Sequence, residues 1–121
     1  MSPSIVICDD EPDIGEVLGD RLEAEGYRVL IVDSARGCYA SVSENPPDLI
    51  LMDVQMPEIS GIEALTELKS RHPRIPVLMV SASTTREVAR DAEAKGASGF
   101  LLKPYEPAEL MEKIRKIIGE P

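Results

Sequence analysis

Acidic, hydroxyl and ammonium side chains stand at the ends of short apolar runs in this sequence. Asp9-Asp10-Glu11 follow Ile5-Val6-Ile7-Cys8, and Asp53 follows Leu49-Ile50-Leu51-Met52. Ser81 follows Val77-Leu78-Met79-Val80, and Lys103-Pro104 follow Phe100-Leu101-Leu102. If Asp9, Asp10 and Asp53 meet, three carboxylates about 5 Å apart repel by roughly 3 kcal/mol per pair at an effective dielectric of about 20. Either one acid takes up a proton or a cation balances the charge. An all-oxygen donor set with room for water suits Mg²⁺, or Mn²⁺ in its place. A metal, a hydroxyl and an ammonium converging on one carboxylate position a phosphoryl group and neutralise its charge during transfer. In that reading Asp53 is the nucleophile and forms an acyl phosphate.

Residues so far apart in sequence meet only if the fold brings the run ends together. The apolar runs, with Val29-Leu30-Ile31-Val32 as the second of five, are too short for buried helices. They are continuous rather than alternating, the pattern of strands covered on both faces. Helical periods lie between them. Ile14, Val17, Leu18 and Leu22 share a face between Pro12 and Gly26, a proline-in, glycine-out helix. Ile62, Leu65 and Leu68 precede His72-Pro73, and Leu110, Ile114, Ile117 and Ile118 form the clearest stripe. Residues 34–44 read as a helix by position. Residues 84–95 carry a thin apolar face of Val88, Ala89 and Ala92 and predict the least firmly packed helix. Asp33-Ser34 suffices as a helix cap and needs no further role. Glu11, before Pro12, is either a cap or an additional metal ligand.

Strand and helix alternating five times imply an α/β fold, a five-stranded parallel sheet with right-handed crossovers and helices on both faces. Strand C-termini then open on one edge, where such sheets bind ligands. Strand order 3-2-1-4-5 separates Asp53 from Asp9 and Asp10 by two strands. Order 2-1-3-4-5 makes the first and third strands neighbours about 4.8 Å apart and builds one site. Ser81 is then one strand from Asp53, within reach of a short hydroxyl, and Lys103 two strands away, within reach of a long stem.

These residues resemble the receiver domains of two-component response regulators. The resemblance rests on Asp9-Asp10, on Asp53 followed by Met56-Pro57 and Gly61, on Ser81-Ala82, and on Gly99-Phe100-Leu101-Leu102-Lys103-Pro104. It runs from Ile5 to Ile118 and implies one receiver domain over residues 1–121, with the flavodoxin-like 2-1-3-4-5 sheet. It implies that Asp53 accepts phosphate from a sensor histidine kinase, a phosphotransfer protein or a small phosphodonor. Asp10, Asp53 and the backbone carbonyl of Gln55 would ligate Mg²⁺, with Asp9 acting through water. Lys103 would bind the phosphoryl group, the Lys103-Pro104 peptide would be cis, and Ser81 and Phe100 would switch the face made by the fourth helix, fifth strand and fifth helix. Gln55 and Ser83 would tune dephosphorylation. The implied protein is a self-modifying switch rather than a metabolic enzyme, signalling to a downstream protein or effector domain, with phosphorylation-dependent dimerisation left open.

Composition narrows the alternatives. Asp and Glu number 22 against 13 Lys and Arg, a net charge of -9, which argues against direct nucleic-acid binding by these residues. No apolar run exceeds four residues, so neither a secretory signal nor a membrane span is expected. Cys8 and Cys38 lack metal or redox-motif spacing, and a reducing cytoplasm is the expected compartment. A flavodoxin-type flavin site needs a hydroxyl-rich phosphate loop where Asp9-Asp10-Glu11 stand. The main rival is a haloacid-dehalogenase-like phosphatase with an Asp nucleophile; it would want an acid where Gln55 stands, and a cap domain for which this length leaves no space. His72 at a helix end complements the helix dipole and is no candidate for phosphotransfer.

Overall fold

Each apolar run becomes a strand and each segment of helical period a helix: β1 (Ser4–Cys8), α1 (Pro12–Ala24), β2 (Arg28–Val32), α2 (Ala35–Glu44), β3 (Leu49–Asp53), α3 (Gly61–Arg71), β4 (Val77–Ser81), α4 (Arg86–Ala94), β5 (Gly99–Leu102) and α5 (Pro107–Ile118). This computed structural model describes residues 2–56, 58–81 and 86–120, with nothing said of the side chains of Pro12 and Ile14. All strand pairs are parallel, in the order β2-β1-β3-β4-β5. Order 2-1-3-4-5, the one that builds a single site, is therefore the one adopted.

Side chains alternate across the sheet and split the core into two layers. On one face Ile5, Ile7, Leu49, Leu51, Leu78, Val80 and Leu101 pack against Leu18 and Leu22 of α1 and Leu110, Met111 and Ile114 of α5. On the other Val6, Cys8, Ile50, Met52, Val77 and Met79 pack against α2, α3 and Ala92 of α4. The central strands β3 and β4 are buried along their whole length. At roughly 1.5 to 3 kcal/mol for each fully buried aliphatic side chain, these layers hold the strand ends in fixed relation.

Two expectations need correction. The second run does not form a strand covered on both faces. β2 is an edge strand on which Leu30 is 51% and Ile31 37% exposed, because an edge position leaves part of each face uncovered. On α1 the buried line is Leu18 and Leu22, whereas Val17 is 72% exposed. One residue step turns a helix by about 100°, so Val17 faces outward beside the core-directed Leu18. Gly15 and Gly19 of α1 approach Ile31, whose methyls lie 3.0 and 3.2 Å from where their Cβ atoms would be.

Local signals set the helix boundaries. Ser34 caps α2 through Gly37 N–H at 3.0 Å, and Ser60 caps α3 through Glu63 N–H at 3.2 Å. Proline starts both α1 and α5. α4 buries only Ala92, as its thin face predicts. Among the described residues, no helix is long and apolar enough to cross a membrane.

Candidate functional site

The parallel register carries the acidic loops to one place. Cys8 pairs with Met52 across β1 and β3, so Asp9 and Asp53 leave adjacent strands at the same level. Each carboxylate is held by its own loop in the same way. Asp9 Oδ1 accepts the Glu11 N–H at 2.9 Å, and Asp53 Oδ1 accepts the Gln55 N–H at 3.0 Å. Such bonds to the amide two residues on are natural to aspartate in turns. Asp9 and Asp53 are buried, and Asp10 is exposed at the rim. One oxygen from each of the three lies within 4.8 Å of the others.

Lys103 joins the acids from β5. Its Nζ donates to Asp9 Oδ2 at 3.1 Å and lies 3.5 Å from Asp53 Oδ2. The Lys103 N–H also donates to the Ser81 carbonyl at 2.7 Å, which continues the β4–β5 pairing beyond Ser81 opposite Leu102. Ser81 is fully buried at the end of β4, beside Lys103 and one strand from Asp53. The Lys103-Pro104 peptide is cis.

Electrostatics fit a cation-accepting site. Burial, with help from the charge of Asp9, lifts the Asp53 carboxyl above its usual range; the Gln55 N–H and Lys103 oppose the rise without cancelling it. Burial pulls Lys103 down, but its hydrogen bond to Asp9 and the charges of Asp53 and Asp9 outweigh this and leave it raised. Lys103 is therefore a cation at neutral pH. One ammonium against three carboxylates leaves two negative charges uncompensated, the charge of one divalent ion. With only hard oxygen donors at hand, the cluster fits Mg²⁺ or Mn²⁺ better than a soft metal.

The loop after β3 is pressed close to the site. Glu58 adopts φ 64°, and Gly61 sits where a Cβ would overlap the Asp53 carbonyl oxygen and come within 2.7 Å of Val54 Cα. Only glycine fits there, and the Gly61 N–H donates to the Val54 carbonyl at 2.8 Å. Met56 from this loop places its sulfur 3.4 Å from Cys8 Sγ.

Of the residues singled out by sequence, Asp9, Asp10, Asp53 and Lys103 converge, with Ser81 adjacent. Gln55 contributes its N–H to Asp53. Phe100 is half-buried on the α2–α3–α4 side of the sheet, opposite Met79 in the register. Glu11 occupies the N-cap position of α1 without a side-chain capping bond. Pro57, Ala82 and Ser83 lie outside the described residues.

Three features escaped the sequence reading. Lys103 lies nearer Asp9 than Asp53, which depends on side-chain reach rather than strand order. Tyr105 lines the same small space as Asp9, Asp53 and Lys103; its one signal was an aromatic two residues beyond the strand-end lysine. Cys8 and Cys38 belong to the same packed layer of the core, both fully buried. The Cys8 thiol also faces the Ser34 carbonyl at 3.4 Å. The neighbouring Cys38 thiol, burial and nearby negative charge push it far above the usual thiol range.

A family model for the response regulator receiver domain matches residues 5–115. The nitrogen assimilation regulatory protein NtrX of Azorhizobium caulinodans is 36% identical over 113 residues, 92% of this chain and 25% of that protein. The DNA-binding transcriptional regulator NtrC of Rhizobium meliloti is 34% identical over 118 residues, 98% of this chain and 24% of that protein. Among solved structures, Vibrio cholerae chemotaxis protein CheY4 superposes with a TM-score of 0.91 at 26% identity, covering 97% of this chain and 99% of that one. The receiver domain of NtrX from Brucella abortus gives 0.89 at 28% identity, covering 94% and 97%. The chain thus spans about a quarter of the length of these curated relatives.

Proposed function

The chain belongs to the response regulator receiver domain family, and from that premise we propose that residues 1–121 act as one phosphorylation-activated module whose phosphoacceptor is Asp53. Receiver domains are signalling domains rather than enzymes of metabolism. The observation that carries the assignment is the Lys103 ammonium shared between two buried carboxylates, at 3.1 and 3.5 Å, beside an exposed third acid.

An Asp53 carboxylate oxygen attacks the phosphorus of a phosphohistidine on a sensor kinase or phosphotransfer protein, or of a small acyl phosphate. The P–O bond to Asp53 forms as the bond to the donor's imidazole nitrogen or carboxylate oxygen breaks, and the donor departs with that electron pair. Asp10, Asp53 and the Gln55 carbonyl would hold Mg²⁺ or Mn²⁺, with Asp9 through water, and the ion supplies charge neutralisation at the phosphoryl oxygens. Lys103 turns from the carboxylates to the new phosphoryl oxygens, trading one charge-assisted contact for another. The chain thereby catalyses its own modification and its reversal, and Gln55, beside the site, is placed to influence the attacking water.

The modification adds about -1.5 to -2 charge and three acceptor oxygens. The Ser81 hydroxyl then donates a charge-assisted hydrogen bond worth roughly 1.5 to 3 kcal/mol, enough to shift a two-state balance about ten- to a hundred-fold. Phe100 follows inward, and the face of α4, β5 and α5 is remodelled for a downstream protein or effector domain, or for a second copy of the chain. The thin packing of α4, which buries only Ala92, supports its movement. NtrC is a DNA-binding regulator; in this chain a net charge of -9 disfavours direct DNA contact, so DNA-directed output belongs to a separate partner or domain. The setting is the cytoplasm, where kinase and acceptor meet.

Incubation with acetyl phosphate and Mg²⁺, followed by intact mass and hydroxylamine treatment, tests the assignment. One hydroxylamine-sensitive phosphoryl group per chain is expected, absent without Mg²⁺ and absent in Asp53→Asn. Equal modification of Asp53→Asn and wild type would overturn it.

A further inference from the structure

Lys103 has a four-carbon stem that must be held still for its ammonium to span two acids, and fixing a lysine stem in one rotamer costs side-chain entropy. The backbone bond from its N–H to the Ser81 carbonyl fixes the start of the side chain, and the contacts to Asp9 and Asp53 fix its tip. Lys103 borders a space of about 10 Å³ that Tyr105, Asp9 and Asp53 also line, at the lower limit for a single water. The Tyr105 ring is half-buried and packs on the α1–α5 side of the core, which includes Leu18 and Leu110. Tyr105 also lines an open groove of about 500 Å³ with Val17, Leu18, Pro107 and Leu110, and with Asp13 and Arg21. Tyr105 and Leu18 are therefore the partition between the groove and the acidic site. The charges of Lys103 and Asp9 both act on the Tyr105 hydroxyl, against the upward push of burial in the first case and with it in the second.

We propose that Tyr105 is a positioning residue for Lys103: its core-anchored ring walls the lysine stem and keeps the ammonium over Asp9 and Asp53. The role belongs to the ring rather than the hydroxyl. It rests on the reading of Asp53 as phosphoacceptor only for its effect on phosphorylation, since the position of the Lys103 ammonium is observable without any phosphodonor.

The test compares wild type with Tyr105→Phe, Tyr105→Leu and Tyr105→Ala at a temperature where circular dichroism shows all four folded. The Lys103 Nζ resonance, identified in ¹⁵N-lysine protein by its loss in Lys103→Met, should stay in place in Tyr105→Phe and move or broaden in Tyr105→Leu and Tyr105→Ala. The phosphorylation rate at saturating acetyl phosphate should fall about ten-fold in the latter two and stay within about two-fold in Tyr105→Phe, with the Mg²⁺ half-saturation unchanged in all. An unmoved Nζ resonance in Tyr105→Leu and Tyr105→Ala overturns the proposal, as does a rate drop matched by an equal loss of Mg²⁺ affinity. Failure of wild type to be modified at Asp53 would instead refute the phosphoacceptor reading, and the resonance would still decide the role of Tyr105.

Discussion

Asp53 is 7% exposed and carries its charge at a cost to the folded state. Its folded pKa lies above the ordinary 3.8, chiefly through burial, so the protonated form is the one folding favours. That favourable contribution is fully present below pH 3.8, is lost as pH rises through the raised folded value, and leaves a constant deficit above it. Metal-free Asp53→Asn is therefore expected to be more stable than wild type at pH 7 in urea denaturation, and the difference should vanish below pH 3.8. Mg²⁺ at a hundred times its dissociation constant should stabilise wild type by about 2.7 kcal/mol and the variant far less, with EDTA reversing the gain. At this scale the acids and Lys103 were legible because strand-end residues of a parallel sheet share one edge. The closer pairing of Lys103 with Asp9 was not, since a flexible stem reaches either acid from the same strand position, and neither was Tyr105, which acts from beyond the strand.

The elements deliver those residues through contacts that leave little slack. Gly61 opens α3 with no room for a side chain against the Asp53 carbonyl and Val54. Gly61→Ala must displace backbone rather than a side-chain tip, so a loss of at least about 2 kcal/mol in chemical denaturation is expected, with weaker Mg²⁺ binding because Asp53 moves with its carbonyl. α4 stands at the other extreme. With Ala92 its only buried residue, its amides should exchange fastest among the described helices in native-state hydrogen exchange; protection equal to that of α5 would refute this. Sequence period gave away α5 and α3, whose stripes of Leu110 and Ile114 and of Leu65 and Leu68 are buried. It misled at Val17, one step off the buried line of α1, and at β2. An apolar run reads the same whether a strand is central or at an edge, and edge position is a property of the sheet.

Across the whole molecule, the sheet gathers its chemistry on one edge and its bulk into two layers, and the NtrX and NtrC relatives run to about four times the matched length. Strand order was accessible from the sequence because order 2-1-3-4-5, unlike 3-2-1-4-5, assembles the acids; that Cys8 of β1 and Cys38 of α2 share one packed layer was hidden because it depends on how α2 lies on the sheet. That shared burial bears on how the protein can be handled. Both thiols are fully buried, and Cys8 is held protonated, so a maleimide should find neither in the native state and both of the chain's two cysteines after denaturation. An introduced surface cysteine would then be the sole labelling point without any need to remove the natural pair. The slow uptake of reagent by Cys8 and Cys38 would serve as a built-in clock for global opening, and metal binding or phosphorylation should make that clock run slower.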